Sequence, residues 1–269
     1  MKILTKAKTL EFLKKYKKFH VPKLYIFKEK DFAKNKVKIL NKIRFRFKKK
    51  VAIRSSSKFE DTVVQSMAGK FLSVLNIDIK NIVEMERNIN SVISSYKKYK
   101  NPNNEVLIQE MVEDIFISGV VTTKDKNTAL PYTNIDYSFS KDSSVVTSGS
   151  QNTFSITVWK NNIKENQFKI LLKRINDLKK LFKNDSLDVE FAINKKGKVY
   201  ILQVRPLIIK KNFNISEKKY ENDLNKISKK IKKIQRKHYS LLGRTSYFGV
   251  MPDWNPAEMI GLKPKPLSL

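Results

Sequence analysis

The sequence predicts an α+β fold in which antiparallel hairpins carry much of the sheet, and three observations point there. Strand-type runs crowd into residues 106–112, 115–123, 132–137 and 153–159, where Phe154, Ile156 and Val158 alternate with Thr and Ser. Two further runs, 187–193 and 198–204, are joined by Asn194-Lys195-Lys196-Gly197, a hairpin connection. Helical spacing occupies other stretches, and that grouping marks the α+β class.

From the N-terminus, residues 7–19 bring Leu10, Leu13, Tyr16 and Phe19 onto one helical face. Val21-Pro22 then leads into the apolar run Leu24-Tyr25-Ile26-Phe27, a strand. Val51-Ala52-Ile53 reads as a short buried strand ending in Arg54-Ser55-Ser56-Ser57, and a polar loop separates it from a strand at 71–77. Between 79 and 99, Ile82, Met85, Ile89, Val92, Ile93 and Tyr96 recur at helical spacing, which predicts one long amphipathic helix. A second helix, 167–182, precedes the C-terminal hairpin. Further on, Tyr220, Leu224, Ile227, Ile231, Ile234 and Leu241 follow a 4,3 spacing with lysines on the other faces. Two readings fit that pattern: a helix packed on its own domain with lysines in water, or one docked on a membrane surface or a partner. Residues 252–269 hold four of the eight prolines and read as an extended connector.

Composition excludes several classes of function. A chain of 269 residues, 41% hydrophobic, buries roughly 70–75% of its unfolded surface and needs no disulfide or zinc staple. The absence of cysteine removes disulfide scaffolds, thiolate zinc sites, iron–sulfur clusters and cysteine nucleophiles. With only His20 and His238, a multi-histidine metal site or a Ser-His-Asp hydrolase is poorly supported. The longest uncharged stretch, 143–159, is rich in Ser and Thr, so no segment reads as a membrane span. The basic N-terminus lacks the features of a signal peptide, and a cytoplasmic location is expected. A net charge of +31, with +16 in residues 1–50 and +8 in 210–240, raises the question of a polyanionic partner. Only eight of the 56 basic residues are arginine, however, whereas readers of bases and phosphates rely on the guanidinium fork. A solvated lysine coat is the simpler account, and nucleic acid is not the expected partner.

Two constellations carry chemistry. Strand alternation puts Asp188 and Glu190 on one face of the hairpin, and Gln203 shares a face with Arg205. If Ile193 pairs with Lys198, Asp188 stands opposite Gln203 and all four side chains point the same way. A loop one residue longer or shorter separates the two pairs. Such groups are costly to bury on an apolar hairpin without a ligand. Magnesium takes oxygen ligands and usually keeps phosphate oxygens in its shell, while Arg205 suits a bidentate grip on phosphate. The competing account is a salt-bridged face, Asp188 with Arg205. The second constellation, Arg54-Ser55-Ser56-Ser57 with Ser66-Met67-Ala68-Gly69-Lys70 beyond it, is a phosphate cradle or a surface loop. Neither G-x-x-x-x-G-K-[ST] nor G-x-G-x-x-G is present.

These residues carry a resemblance. Val51-Ala52-Ile53-Arg54-Ser55-Ser56-Ser57, then Glu60-Asp61 and Met67-Ala68-Gly69-Lys70-Phe71, resembles the phosphate-loop signature of the ATP-binding domain of the pyruvate phosphate dikinase and phosphoenolpyruvate synthase family. Ile108-Gln109-Glu110-Met111-Val112, followed by Ser118-Gly119-Val120, is similar to the family's hinge strand and the strand after it. Leu187-Asp188-Val189-Glu190-Phe191-Ala192-Ile193, with Tyr200-Ile201-Leu202-Gln203-Val204-Arg205-Pro206, resembles its metal-binding hairpin.

The resemblance implies an ATP-grasp fold, in which two α+β subdomains clamp Mg-ATP. Residues 1–105 would carry the phosphate loop, 106–210 the hairpin, and 211–269 a basic helix and connector toward a missing domain. It implies Arg54 and Arg205 as the catalytic pair that holds the phosphates, with Ser55 beside them, and Glu190, Gln203 and Asp188 around magnesium. Gln109, Met111 and Val112 would meet adenine, largely through backbone groups of the last two. Lys6 would match the family's nucleotide lysine, although the glycines that precede that lysine are absent here. Enzymes of the family pass phosphate from ATP to a histidine on a swivelling domain and then to an acceptor. Neither His20 nor His238 sits in a matching motif, so the histidine domain is expected downstream or in a partner protein. Residues 143–150 and 251–258 look like a branch associated with surface-polysaccharide gene sets, some of whose members phosphorylate small amides such as glutamine. The expected function is a phosphotransferase module that moves phosphoryl or pyrophosphoryl from Mg-ATP to histidine. The alternatives are a lysine-rich module for RNA or anionic lipid, and an ATP-binding pseudoenzyme fragment.

Overall fold

The computed structural model describes residues 4–57, 72–96, 104–139, 153–159, 163, 166–209, 216–235, 239 and 242–243. Glu60-Asp61, residues 66–71, 143–150 and 251–258, His238, Leu241 and the proline-rich tail lie outside them. Two compact units are present, residues 1–213 and 214–269.

The first unit runs α1 (Lys6–Leu13), β1 (Leu24–Lys28), α2 (Glu29–Arg46), β2 (Val51–Ser56), β3 (Ser73–Ile77), α3 (Ile82–Ser95) and β4 (Glu105–Glu110). It continues with β5 (Ile115–Thr122), β6 (Tyr132–Ser138), β7 (Phe154–Trp159), α4 (Asn166–Phe182), β8 (Leu187–Asn194) and β9 (Val199–Pro206). The strands form two sheets, β1-β4-β2-β3 and β7-β6-β5-β8-β9. All ladders between them are antiparallel. This is the α+β class predicted from the strand runs. The chain changes sheets between β4 and β5.

Alternation gives the first sheet two working faces. Val51, Ile53, Val106 and Ile108 point into a core made with Ile39, Leu40 and Ile43 of α2 and Met85, Ile89 and Val92 of α3. Leu24 and Leu107 turn the other way and join a second core, where α4 (Leu171, Ile175, Leu178) and α1 (Leu10, Leu13) meet Ile117, Val189, Phe191 and Ile193. Gly119 sits where β6 crowds β5: a Cβ there would lie 2.2 Å from the Asp136 carbonyl oxygen and 3.0 Å from the Phe191 ring.

Several boundaries differ from expectation. α1 stops at Leu13, not at residue 19, because tighter turns take over, with Lys15 N–H donating to Phe12 O and Tyr16 N–H to Leu13 O. Those turns still deliver Phe19 to the core. α3 starts at its Asn81 cap and ends at Tyr96, which is buried. α2 corresponds to no expected element. β2 continues through Ser56, so Arg54, Ser55 and Ser56 are strand residues, and Ser55, Ser56 and Ser57 are wholly buried and not on a surface loop.

In the second unit, α5 (Glu217–Ile234) is capped by the Ser216 hydroxyl, which accepts from Lys219 N–H at 3.3 Å. The stripe of Tyr220, Leu224, Ile227, Ile231 and Ile234 stays partly exposed along its length. Among the described residues no helix is long and apolar enough to cross a membrane.

Candidate nucleotide and metal site

The hairpin of β8 and β9 turns at Asn194, whose side-chain oxygen accepts from Lys196 and Lys198 N–H, with Gly197 at φ +73°. Ile193 therefore pairs with Val199 and not with Lys198. Continued in phase, the alternation begun by Val199 and Ile201 would turn Gln203 and Arg205 toward the core under α4. A β-bulge intervenes: the register passes from Phe191↔Ile201 to Glu190↔Gln203, leaving Leu202 as a surplus residue on β9. Glu190 thus faces Gln203 and Asp188 faces Arg205, which corrects the expected Asp188–Gln203 pairing while keeping all four side chains on one side.

Arg205 donates to Asp188 Oδ2 through Nη2 at 3.0 Å and Nε at 3.2 Å. Arg54 reaches across from β2, donating through Nη1 to Glu190 Oε2 at 2.9 Å and to Gln203 Oε1 at 3.5 Å. Gln109, on the same face of the first sheet as Arg54, donates through Nε2 to the Leu202 carbonyl at 3.3 Å. The cleft between the sheets is lined by Ala52, Arg54, Gln109, Met111, Val112 and Leu202, among others, with an open volume of about 10 Å³. That is room for about one water.

The salt-bridged face expected as the rival account is present, yet it leaves polar atoms over. Asp188 Oδ1, Arg54 Nε and the Ser55 hydroxyl are buried without a hydrogen-bond partner. Orphaned buried groups of this kind are rare and call for a ligand or other explanation. Burial pushes the Asp188 carboxyl up, against the pull of Arg205 and Lys126. Burial would also raise Glu190, but the charge and hydrogen bond of Arg54, with Lys6 and Arg205 behind them, hold it below the ordinary range. Lys6 begins α1, and its charge is felt at Glu190. Met111 N–H donates to the Lys50 carbonyl at 2.9 Å, so one of the expected hinge groups is committed to the backbone.

Oxygen donors from Asp188, Glu190 and Gln203 share this side of the hairpin, and the orphaned Asp188 oxygen fits a hard cation. Among the described residues no three or more His, Cys, Asp or Glu side chains cluster. Two carboxylates and an amide would therefore need outside oxygens to complete a shell. His20 bridges to Tyr200 on β9 and is exposed, away from any such role.

Sequence reasoning missed Lys126, whose charge acts on Asp188, and a buried set around Glu105, Tyr96 and Thr5. Tyr96 was visible only as one more apolar position of a helix. A lysine in a polar turn and an acid opening a strand give no pattern.

No curated protein matches the sequence at a significant level. Similar solved structures include the VanG D-Ala:D-Ser ligase of Enterococcus faecalis, 12% identical with a TM-score of 0.44, over 75% of this chain and 52% of that one. D-alanyl-alanine synthetase A of Vibrio cholerae is 10% identical with a TM-score of 0.46, over 75% and 54%. An L-amino acid ligase of Bacillus licheniformis is 11% identical with a TM-score of 0.46, over 76% and 43%. The chain thus spans about half the length of these proteins. A family profile, described as the AMP/ATP-binding domain of pyruvate phosphate dikinase, matches residues 29–168. That range takes in the Arg54 strand, residues 108–112 and Gly119, and stops short of the hairpin. Matched over half its length in this way, the chain belongs to the pyruvate phosphate dikinase AMP/ATP-binding domain family.

Proposed function

We propose that the chain is the nucleotide half of a phosphotransferase. It binds Mg-ATP in the cleft between the two sheets and hands phosphoryl or pyrophosphoryl to a histidine of another domain or protein. The observation that carries this reading is the meeting of Arg54 with Glu190 and Gln203 across the cleft, beside the Asp188–Arg205 pair and its orphaned oxygen.

A triphosphate is a stronger partner for a guanidinium than one carboxylate. Arg54 and Arg205 would exchange carboxylate for phosphate oxygens, releasing Glu190 and Asp188, with Gln203, to hold magnesium. Bound there, the cation would neutralise phosphate charge and align the group in flight. The arginines would stabilise the charge that develops as a P–N bond to the imidazole forms and the P–O bond to ADP or AMP breaks. At the hinge, the Met111 carbonyl and Val112 N–H would face the base, since Met111 N–H is already bonded. A small amide such as glutamine is the final acceptor we favour.

Thermal unfolding with and without Mg-ATP tests the reading. Ligand at 100 times its dissociation constant should add roughly 2.7 kcal/mol. The magnesium-dependent shift should vanish in Glu190→Ala and Arg54→Ala; full affinity in both variants would remove the site.

A further inference from the structure

A second buried polar network lies where α1 meets the end of β2 and the start of β4. Glu105, the first residue of β4, is only 6% exposed. Its Oε2 accepts from the Thr5 hydroxyl at 3.1 Å, and its Oε1 stands 3.7 Å from Lys8 Nζ. Its backbone carbonyl accepts from the Tyr96 hydroxyl at 2.6 Å, and that hydroxyl in turn accepts from Ser56 N–H at 2.8 Å. The Ser56 hydroxyl accepts from Ala7 N–H at 3.0 Å, which closes the circuit back onto α1.

The circuit grips the residues on both sides of Lys6. Thr5 is the N-cap of α1, and its oxygen accepts from Lys8 N–H at 3.5 Å while its proton goes to Glu105. An ionised carboxylate can only accept, so Glu105 fixes the direction of the Thr5 hydroxyl and keeps its lone pairs turned to the helix. A tie between helix and sheet needs no charge; apolar contact serves as well. A buried acid here adds a fixed hydrogen-bond polarity and a counter-charge beside a first turn that carries two lysines.

We propose that Glu105 is a positioning residue: through Thr5 it sets the first turn of α1 and thereby aims Lys6 at the phosphates. This rests on the nucleotide reading above. Glu105 itself touches no nucleotide in this scheme.

The test is calorimetric titration of Mg-ATP into the full chain and its variants Glu105→Gln, Thr5→Val, Thr5→Ser and Lys6→Ala. The double variants Glu105→Gln/Lys6→Ala and Thr5→Val/Lys6→Ala complete two cycles, and a melting curve is recorded for each protein. Glu105→Gln and Thr5→Val should each weaken binding about tenfold, and Thr5→Ser should restore it. In the Lys6→Ala background either change should add less than about twofold, because the group it aims is gone. Equal weakening with and without Lys6, or wild-type affinity in Glu105→Gln, overturns the proposal while leaving the nucleotide site standing. If Glu105→Gln does not fold, the Thr5 cycle decides by the same criterion. Absence of Mg-ATP binding by the wild-type chain refutes the nucleotide reading itself, and the positioning role with it.

Discussion

Arg54→Met, Glu190→Gln and their combination probe the ion pair that joins the two sheets. The atoms stand 2.9 Å apart, which at an effective dielectric of 20 corresponds to roughly 6 kcal/mol of bare attraction. Desolvation offsets most of that gain, since the side chains are only 9% and 16% exposed. Removing one partner is harsher, because the other charge stays buried without compensation, at about 3 kcal/mol. Each kcal/mol moves the midpoint of a chain this size by roughly 2–4 °C, so each single variant should melt about 6–12 °C early. The double variant strands no charge and should recover at least half of the loss. Urea unfolding of the four proteins at constant pH and salt gives the coupling free energy, expected at about 3 kcal/mol when half of the summed single losses is recovered. A coupling within about 0.5 kcal/mol of zero would refute the claim that this pair ties the two sheets together.

Asp188→Asn should leave the melting midpoint unchanged or raise it, because burial penalises the charged form, while the magnesium-dependent ATP shift disappears; a retained shift removes Asp188 from the ligand set. Gly119→Ala should lose about 2–3 kcal/mol in urea, since its Cβ would meet the Asp136 carbonyl; an unchanged midpoint would mean β5 and β6 can part without penalty. Asp177, on α4, meets Lys18 at 3.3 Å and Arg174 at 3.2 Å. Burial works to raise its carboxyl, but those partners together hold it below the ordinary value. Its contribution, under about 1 kcal/mol, is therefore present above the ordinary Asp value and fades as pH falls through the depressed one. Wild type and Asp177→Asn should differ at neutral pH and converge in acid, as read from melting curves across that range.

The strands were legible because a sheet with one face on a core writes itself as alternation, as in Phe154 to Val158. α2 was not. Its buried set is only Phe32, Ile39, Leu40 and Ile43 among seven basic residues, and non-helical dihedrals at Asn35 break the 3.6-residue repeat between the first of these and the rest. α1 looked longer than it is because Tyr16 and Phe19 continue its spacing, while tight turns carry them to the same place. At the site, residue types suggested the hairpin chemistry, but the pairing did not follow from them. A five-residue turn and a bulge each shift the register by one, and neither shift is written in the residues that it moves. Glu105 and Lys126 act through partners far along the chain, so no local pattern could announce them.

The surplus residue at Leu202 gives β9 slack. Gln109 is tethered to its carbonyl, at a point where the regular ladder is already interrupted. Were the Gln109 side of the cleft to move, the pull on that carbonyl could be taken up by flattening the bulge. The ladder register that sets Asp188 opposite Arg205, further along the same strand, need not yield. The hairpin can then keep its oxygens aligned while the opposite wall swings, a compliance that an uninterrupted ladder would lack.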